Sequence, residues 1–291
     1  MALFLADDPV VARIQLGLLL RELRQDAERT AAQACKHLNC SPAKMSMVEN
    51  GKQGIPVREV AALLDFYGAD DTSAAEALRL AAIPWPKRRG RRALYQEAVP
   101  ATARRYVALE AEAREIVAFD NAVINGLLQT REYARTLLAA GAPYPGSHEI
   151  DVKLDIRMRR QDKLFREEPS PLELDVIIDE ACLRRRIGSA GIMRAQLEHL
   201  IQVSERENVR LQVLPFVPKN DEAFNPQTAF SILKLPERGS LVYIEDFAGG
   251  IYPEDGLLIQ EYATAFERLR RAALDGDEAR AFLARLVAQD G

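Results

Sequence analysis

The sequence predicts an α+β chain in two parts: an N-terminal all-α domain, then a C-terminal α+β domain with a small, mainly antiparallel sheet. Three observations carry this. Residues 1–83 hold short runs of helical apolar spacing with clear cap and stop residues, and no window alternates as a strand does. Next comes a basic run set among Pro84, Trp85, Pro86 and Gly90, and prolines and glycine punctuate helices. Beyond residue 165 the apolar period changes to that of strands. The predicted divisions are 1–83, a basic linker at 84–95, and 96–291.

Taken in order, Asp8-Pro9 opens a first helix, with Val10, Ile14, Leu18, Leu19 and Leu23 near helical spacing. Thr30 caps a second helix through Leu38. Ser41-Pro42 repeats the cap-then-proline signal and opens a third, which ends at Asn50-Gly51. Pro56 precedes a fourth that stops at Gly68, and Asp71 or Thr72 caps a fifth. Only Asn39-Cys40 separates helix two from the cap of helix three. A turn that tight forces a sharp angle, as in a helix-turn-helix.

Inside the third helix, Met45 and Val48 lie three apart and face the core. Ala43, Lys44 and Met47 then fall on the outward side. Surface helices rarely display Ala and Met unless something apolar is to be met, and thymine methyls in a major groove would serve. Lys44 reaches a base edge or a phosphate. Asn50 and Lys52 lie where they can touch a DNA backbone, as do the amides at the start of helix two near Thr30. The other reading is a small helical bundle that binds no DNA.

Charge is unevenly placed. The chain has 291 residues and a net charge of −4, which argues against coating nucleic acid with the whole surface. Residues 1–92 carry 14 bases and 11 acids, the remainder 25 and 32. The excess comes from Lys87, Arg88, Arg89, Arg91 and Arg92. This run is either a phosphate-binding arm or a solvated linker. Apolar content of 48% and charged content of 28% exclude a disordered or fibrous chain. No apolar run approaches the roughly 20 residues of a membrane span, and the start MALFLADD lacks the marks of a secretory signal. Three scattered cysteines give no disulfide framework, so the expected location is a reducing cytoplasm.

In the second part, 101–119, a segment after Thr130 through Ala139, and 149–165 read as helices. LELDVII at 172–178, 209–214, 229–235 and 241–245 read as strands, the last two as an antiparallel pair. A helix over 192–205 lies among them, and helices over 261–274 and 277–287 end the chain. Little here suggests chemistry. His148 and His199 have no metal-ligand neighbour at useful spacing. Cys182 reads as a small buried side chain, Cys35 as a core residue, and Cys35 with Cys40 is no zinc pair. Asp175, Asp179 and Glu180 read as a charged strand end. The expectation is no enzyme, no metal and no cofactor.

The stretch TAAQACKHLNCSPAKMSMVENGKQGIP resembles the helix-turn-helix of lambda-repressor-like regulators, the xenobiotic-response-element family. Most of the match lies in Ser41, Met45 and Val48-Glu49-Asn50-Gly51-Lys52. The resemblance implies a recognition helix at 42–50, opened by Ser41 and Pro42, with Ala43, Lys44 and Met47 at bases and Asn50 and Lys52 at phosphates. One departure is Ala31, where the family usually has a Gln that contacts phosphate or base. Further on, NGLLQTREYAR at 125–135, RMRRQ at 157–161, DEACLRR at 179–185, QLEHL at 196–200, LQVLPF at 211–216 and FSILKL to LVYIED at 230–246 occur in order. With the N-terminal motif, they resemble actinobacterial helix-turn-helix regulators of the WhiJ-like, toxin–antitoxin-like kind. Departures are Asn125, where a Pro commonly precedes the glycine, and a junction reduced to Trp85.

That resemblance implies a transcriptional regulator whose second domain has no settled role, with a small protein encoded beside it as partner. The expectation is a nucleoid-associated homodimer on double-stranded DNA with an inverted-repeat operator, Arg88 and Arg89 adding contacts and the second domain sensing a ligand or protein. The alternative is an antitoxin-like interaction module for the small neighbour, with DNA binding as autoregulation. For the GLLQT segment the first reading is packing: Gly126 turns the chain, Gln129 and Thr130 cap the next helix, and Tyr133 packs back. In the second, Gln129, Arg157, Arg160 and Gln161 converge on a pocket for an anionic ligand or a partner's acidic tail.

Overall fold

A computed structural model describes residues 9–84, 103–141, 147–166, 170–220, 228–236, 239–246, 249–253 and 255–289. The chain divides into two compact units between Ala111 and Glu112. The basic run with Arg88 and Arg89 lies outside the described residues, as does nearly all of the predicted linker.

The first unit is helical. It comprises α1 (Pro9–Asp26), α2 (Ala31–Leu38), α3 (Pro42–Glu49), α4 (Val57–Tyr67) and α5 (Asp71–Ala82), followed by α6 (Arg104–Glu112), which reaches the division. The local signals act as chemistry requires. Thr30 closes a capping box with Gln33, and Ser41 accepts from the Lys44 amide with Pro42 in the first turn. Asn39 takes the left-handed conformation at φ 50°, which lets the chain reverse between α2 and α3. Gly68 ends α4 at φ 67°. The cap of α5 is Asp70, not Asp71 or Thr72: its carboxylate accepts from the Thr72 and Ser73 amides. Leu16, Leu20, Ala34, Met45, Val48, Val60, Leu63 and Leu80 form one core with their neighbours. Gln15 of α1 donates to the Ala108 carbonyl of α6 at 3.5 Å.

The second unit is α+β around a mixed six-stranded sheet of order β3-β2-β1-β4-β5-β6. The strands are β1 (Glu115–Asp120), β2 (Glu173–Asp179), β3 (Val209–Leu214), β4 (Phe230–Leu235), β5 (Gly239–Asp246) and β6 (Gly249–Ile251). β1, β2 and β3 are parallel, while β1 with β4, β4 with β5, and β5 with β6 are antiparallel. The helices are α7 (Arg131–Ala140), α8 (Ser147–Phe165), α9 (Glu180–Arg184), α10 (Ala190–Val203), α11 (Gly256–Ala272) and α12 (Gly276–Gln289), with a 3-10 turn at Gly126–Leu128.

The predicted helix over 101–119 is corrected. Helix α6 stops at Glu112, and EIVAFD is the central strand. Ile116, Val117, Ala118 and Phe119 are all buried, so both faces of β1 are covered and the alternation that marks a half-exposed strand is absent. On one face Val117, Phe119, Ile177 and Phe230 pack with Phe266 and Leu269 of α11. That helix starts at Gly256, five residues before its predicted start, because Asp255 caps it.

Candidate nucleic-acid interface

The candidate surface is the outward side of α3 with the ends of α2 and α4. Met45 and Val48 are buried and hold α3 to the core. Two further features fix its C-terminal end. Gly17 of α1 lies against the Val48 and Glu49 carbonyls. Arg24 of α1 donates to both carboxylate oxygens of Glu49, at 2.6 and 3.0 Å, from a largely buried position. This bond raises the Arg24 pKa against the opposing effect of burial. Gly51 then turns the chain at φ 66°, close to the Ile14 backbone.

The predicted contact residues fall as follows. Ala43 and Met47 are exposed, Met47 at 40%. Lys44 is half-buried, its Nζ 2.6 Å from Glu59 Oε2 on α4. Asn50 is exposed, and its Nδ2 donates to the Ser46 carbonyl at 2.7 Å, so the side chain finishes α3. Lys52 is exposed just beyond, its amide donating to the Met47 carbonyl. Thr30, Ser41 and Pro42 are exposed at the openings of α2 and α3, the two hydroxyls serving as caps. Sequence reasoning missed Glu59, Arg24 and Arg104. Arg104 donates to the Asn50 carbonyl at 3.2 Å, and burial lowers its pKa. Exposed Val57, at the first turn of α4, was also missed.

In the second unit, Gln129, Arg157 and Gln161 do come together, around the 3-10 turn. Gln129 Nε2 donates to the Ile124 carbonyl at 2.6 Å, and Arg157 donates to Gln129 Oε1 at 2.7 Å. Gln161 donates to the Gly126 and Gln129 carbonyls at 2.9 and 2.8 Å. A Cβ on Gly126 would lie 3.8 Å from Arg160, so that arginine borders the same turn. Gln196 of α10, which sequence reasoning passed over inside QLEHL, is fully buried. It accepts from the Thr130 amide and donates to the Leu128 carbonyl, both at 2.7 Å. Thr130 caps α7, and Tyr133 packs back with its hydroxyl accepting from the Ile124 amide. These bonds satisfy an irregular buried backbone, as its polar groups require.

The carboxylates have separate structural tasks. Asp175 pairs with Arg270, Asp179 caps α9, and Glu180 accepts from Arg184 and the Phe216 amide. Cys182 is buried, its thiol pushed up in pKa mainly by that burial, and its Sγ meets the Asp120 carbonyl at 3.4 Å. Asp120, at the carboxyl end of β1, is different. Burial pushes its pKa up to about 7, Glu245 adds to this, and hydrogen bonds from Asn125 oppose it. Its Oδ2 has no hydrogen-bond partner among the described residues. Among those residues no group of three His, Cys, Asp or Glu is placed to hold a metal, and no helix is long and apolar enough to cross a membrane.

Comparison with known families gives two matches. Residues 15–77 match a family described as "Helix-turn-helix domain". Residues 103–285 match one described as "Domain of unknown function (DUF5753)". The second match takes in well over half of the chain, and the chain belongs to that family. No curated protein and no solved structure matches it. The chain is thus a helix-turn-helix regulator of the DNA-binding kind, with a second domain of unknown role.

Proposed function

We propose that this member of the family is a sequence-specific, non-enzymatic transcriptional regulator that binds an inverted-repeat operator as a homodimer. The supporting observation is the outward side of α3, where Ala43 and Met47 are exposed on a helix anchored by Met45 and Val48. Apolar groups there fit thymine methyls, and Lys44 fits a base edge. Asn50, Lys52 and the α2 opening at Thr30 lie where backbone phosphates pass, and Arg88 and Arg89 add charge for the same strands. Two heads related by a two-fold axis would read half-sites about one helical turn apart, ~34–36 Å.

In this reading the second domain senses a ligand or protein and favours one arrangement of the heads. The antitoxin-like alternative, binding of a small protein encoded beside it, draws support from exposed Phe216, Val217, Leu257 and Leu258. Genome-wide mapping of bound DNA tests the main reading. A palindromic motif under the peaks is expected; protein that binds no promoter at low salt overturns it. Co-purification of a small neighbour with no operator would favour the alternative.

A further inference from the structure

Lys44 sits in the first turn of α3, where a cation opposes the helix dipole, and Glu59 sits in the first turn of α4, where an acid agrees with it. Their side chains meet at 2.6 Å, with 28% and 21% of each exposed. A pair that solvent still reaches adds modestly to folding stability. Its effect lies in what it presents outward. On the same two helices, Ala43, Met47 and Val57 are exposed and uncharged.

A carboxylate at a DNA surface is repelled by phosphate. The groups on DNA that favour it are base amines, above all cytosine N4 in the major groove. An ammonium reaches either phosphate or the O6 and N7 acceptors of guanine. Lys44 and Glu59 side by side therefore offer a donor and an acceptor at one spot. A G·C pair offers the complementary acceptor and donor on one edge. We propose that Glu59 is a specificity-determining residue of the DNA interface, coupled to Lys44 so that the two read a G·C base pair in each half-site. Glu59 also keeps the Lys44 charge from settling on phosphate and so lowers binding to unrelated sequences. The assignment rests on the reading above, that α3 enters the major groove.

The test is selection from a random duplex pool by the full-length chain, as wild type and as Glu59→Gln, Glu59→Asp and Lys44→Ala, each first checked for an unchanged melting temperature. Wild type is expected to enrich a motif with one fixed G·C pair per half-site. Glu59→Gln should lose that preference tenfold or more. It should also bind unrelated duplex several-fold more tightly, with the salt dependence steeper by about 0.9 as Lys44 takes a phosphate. Lys44→Ala should lose the same position without the steeper slope. Glu59→Asp keeps the charge but shortens the reach, and should weaken the preference while leaving the slope alone. If Glu59→Gln and Glu59→Asp both enrich the wild-type motif with the wild-type slope, the role of Glu59 is refuted while the DNA reading stands. If wild type enriches nothing, the DNA reading falls and this assignment with it.

Discussion

Gly17 and Val48 meet backbone to backbone: a Cβ added to Gly17 would lie 2.5 Å from the Val48 carbonyl oxygen and 2.8 Å from that of Glu49. Gly17→Ala should therefore push α1 and α3 apart. Overpacking of this kind costs about 1–3 kcal/mol, more than the up to about 1 kcal/mol that Ala contributes as a better helix former. Thermal melts should show a drop of several degrees, and DNA affinity should fall with it. An unchanged melting curve would show that the helices have room to part.

Arg24 and Glu49 hold the same helix end from a side-chain pair about nine-tenths buried. Arg24→Ala leaves a buried carboxylate without its partner and should destabilise the first unit by roughly 3 kcal/mol. A double-mutant cycle with Glu49→Ala should return a coupling well above 1 kcal/mol. Independent, additive losses would mean that solvent already screens the pair.

Lys44→Ala separates two modes of contact. If Lys44 reads a base, affinity for the operator falls by about 1–3 kcal/mol and discrimination at one position relaxes. If it meets only phosphate, all sequences weaken alike and the salt slope falls by about one. A shift assay with neither change removes Lys44 from the interface.

Gln196 joins α10 to the turn before α7 by two bonds of 2.7 Å. Gln196→Leu fills similar space but leaves the Thr130 amide and the Leu128 carbonyl buried without partners. Each orphan costs about 1–3 kcal/mol, so faster hydrogen exchange over 124–134 is expected together with a lower melting temperature. Normal protection there would show that water replaces the amide.

Asp120 should make the stability of the second unit pH-dependent. Its carboxyl titrates near 7 in the fold against an ordinary 3.8. Well below pH 3.8 it is neutral folded or unfolded and carries no penalty. As pH rises toward 7 the unfolded chain gains by ionising while the folded chain resists, so stability is lost across that window, by about 4 kcal/mol at most. Asp120→Asn should flatten this dependence and raise stability at pH 8. A wild-type stability that increases smoothly from pH 5 to 7 while Asp120→Asn shows the same curve would remove Asp120 as its source.

Much of the first unit was legible because its signals are local. Thr30, Ser41-Pro42 and Gly68 act on amides and dihedrals within a few residues, and a single sequence displays them. The outward side of α3 was legible for the same reason, since Met45 and Val48 set its inward one. The Lys44–Glu59 pair was not, because fifteen positions and a second helix lie between the partners. Arg104 reaches Asn50 across 54 positions, and no pattern of that reach exists in one chain. In the second unit, strands β2 to β5 announced themselves by a change of apolar period. Strand β1 did not: the charged helix before it runs on into an apolar stretch buried on both sides, and a short apolar run reads equally as helix or strand.

The placement of β1 has a consequence for biosynthesis. Glu115 emerges from the ribosome long before Lys234, the residue it pairs with on β4, which lies 119 positions later. The helical head, by contrast, is wholly synthesised by then, so pairing within its own core is open to it as it is made. The middle of the sheet instead waits with an open edge until the nascent chain is nearly finished, a period in which stray strand pairing competes. Premature stop codons upstream of β4 should therefore yield aggregates carrying an intact head rather than soluble shortened protein.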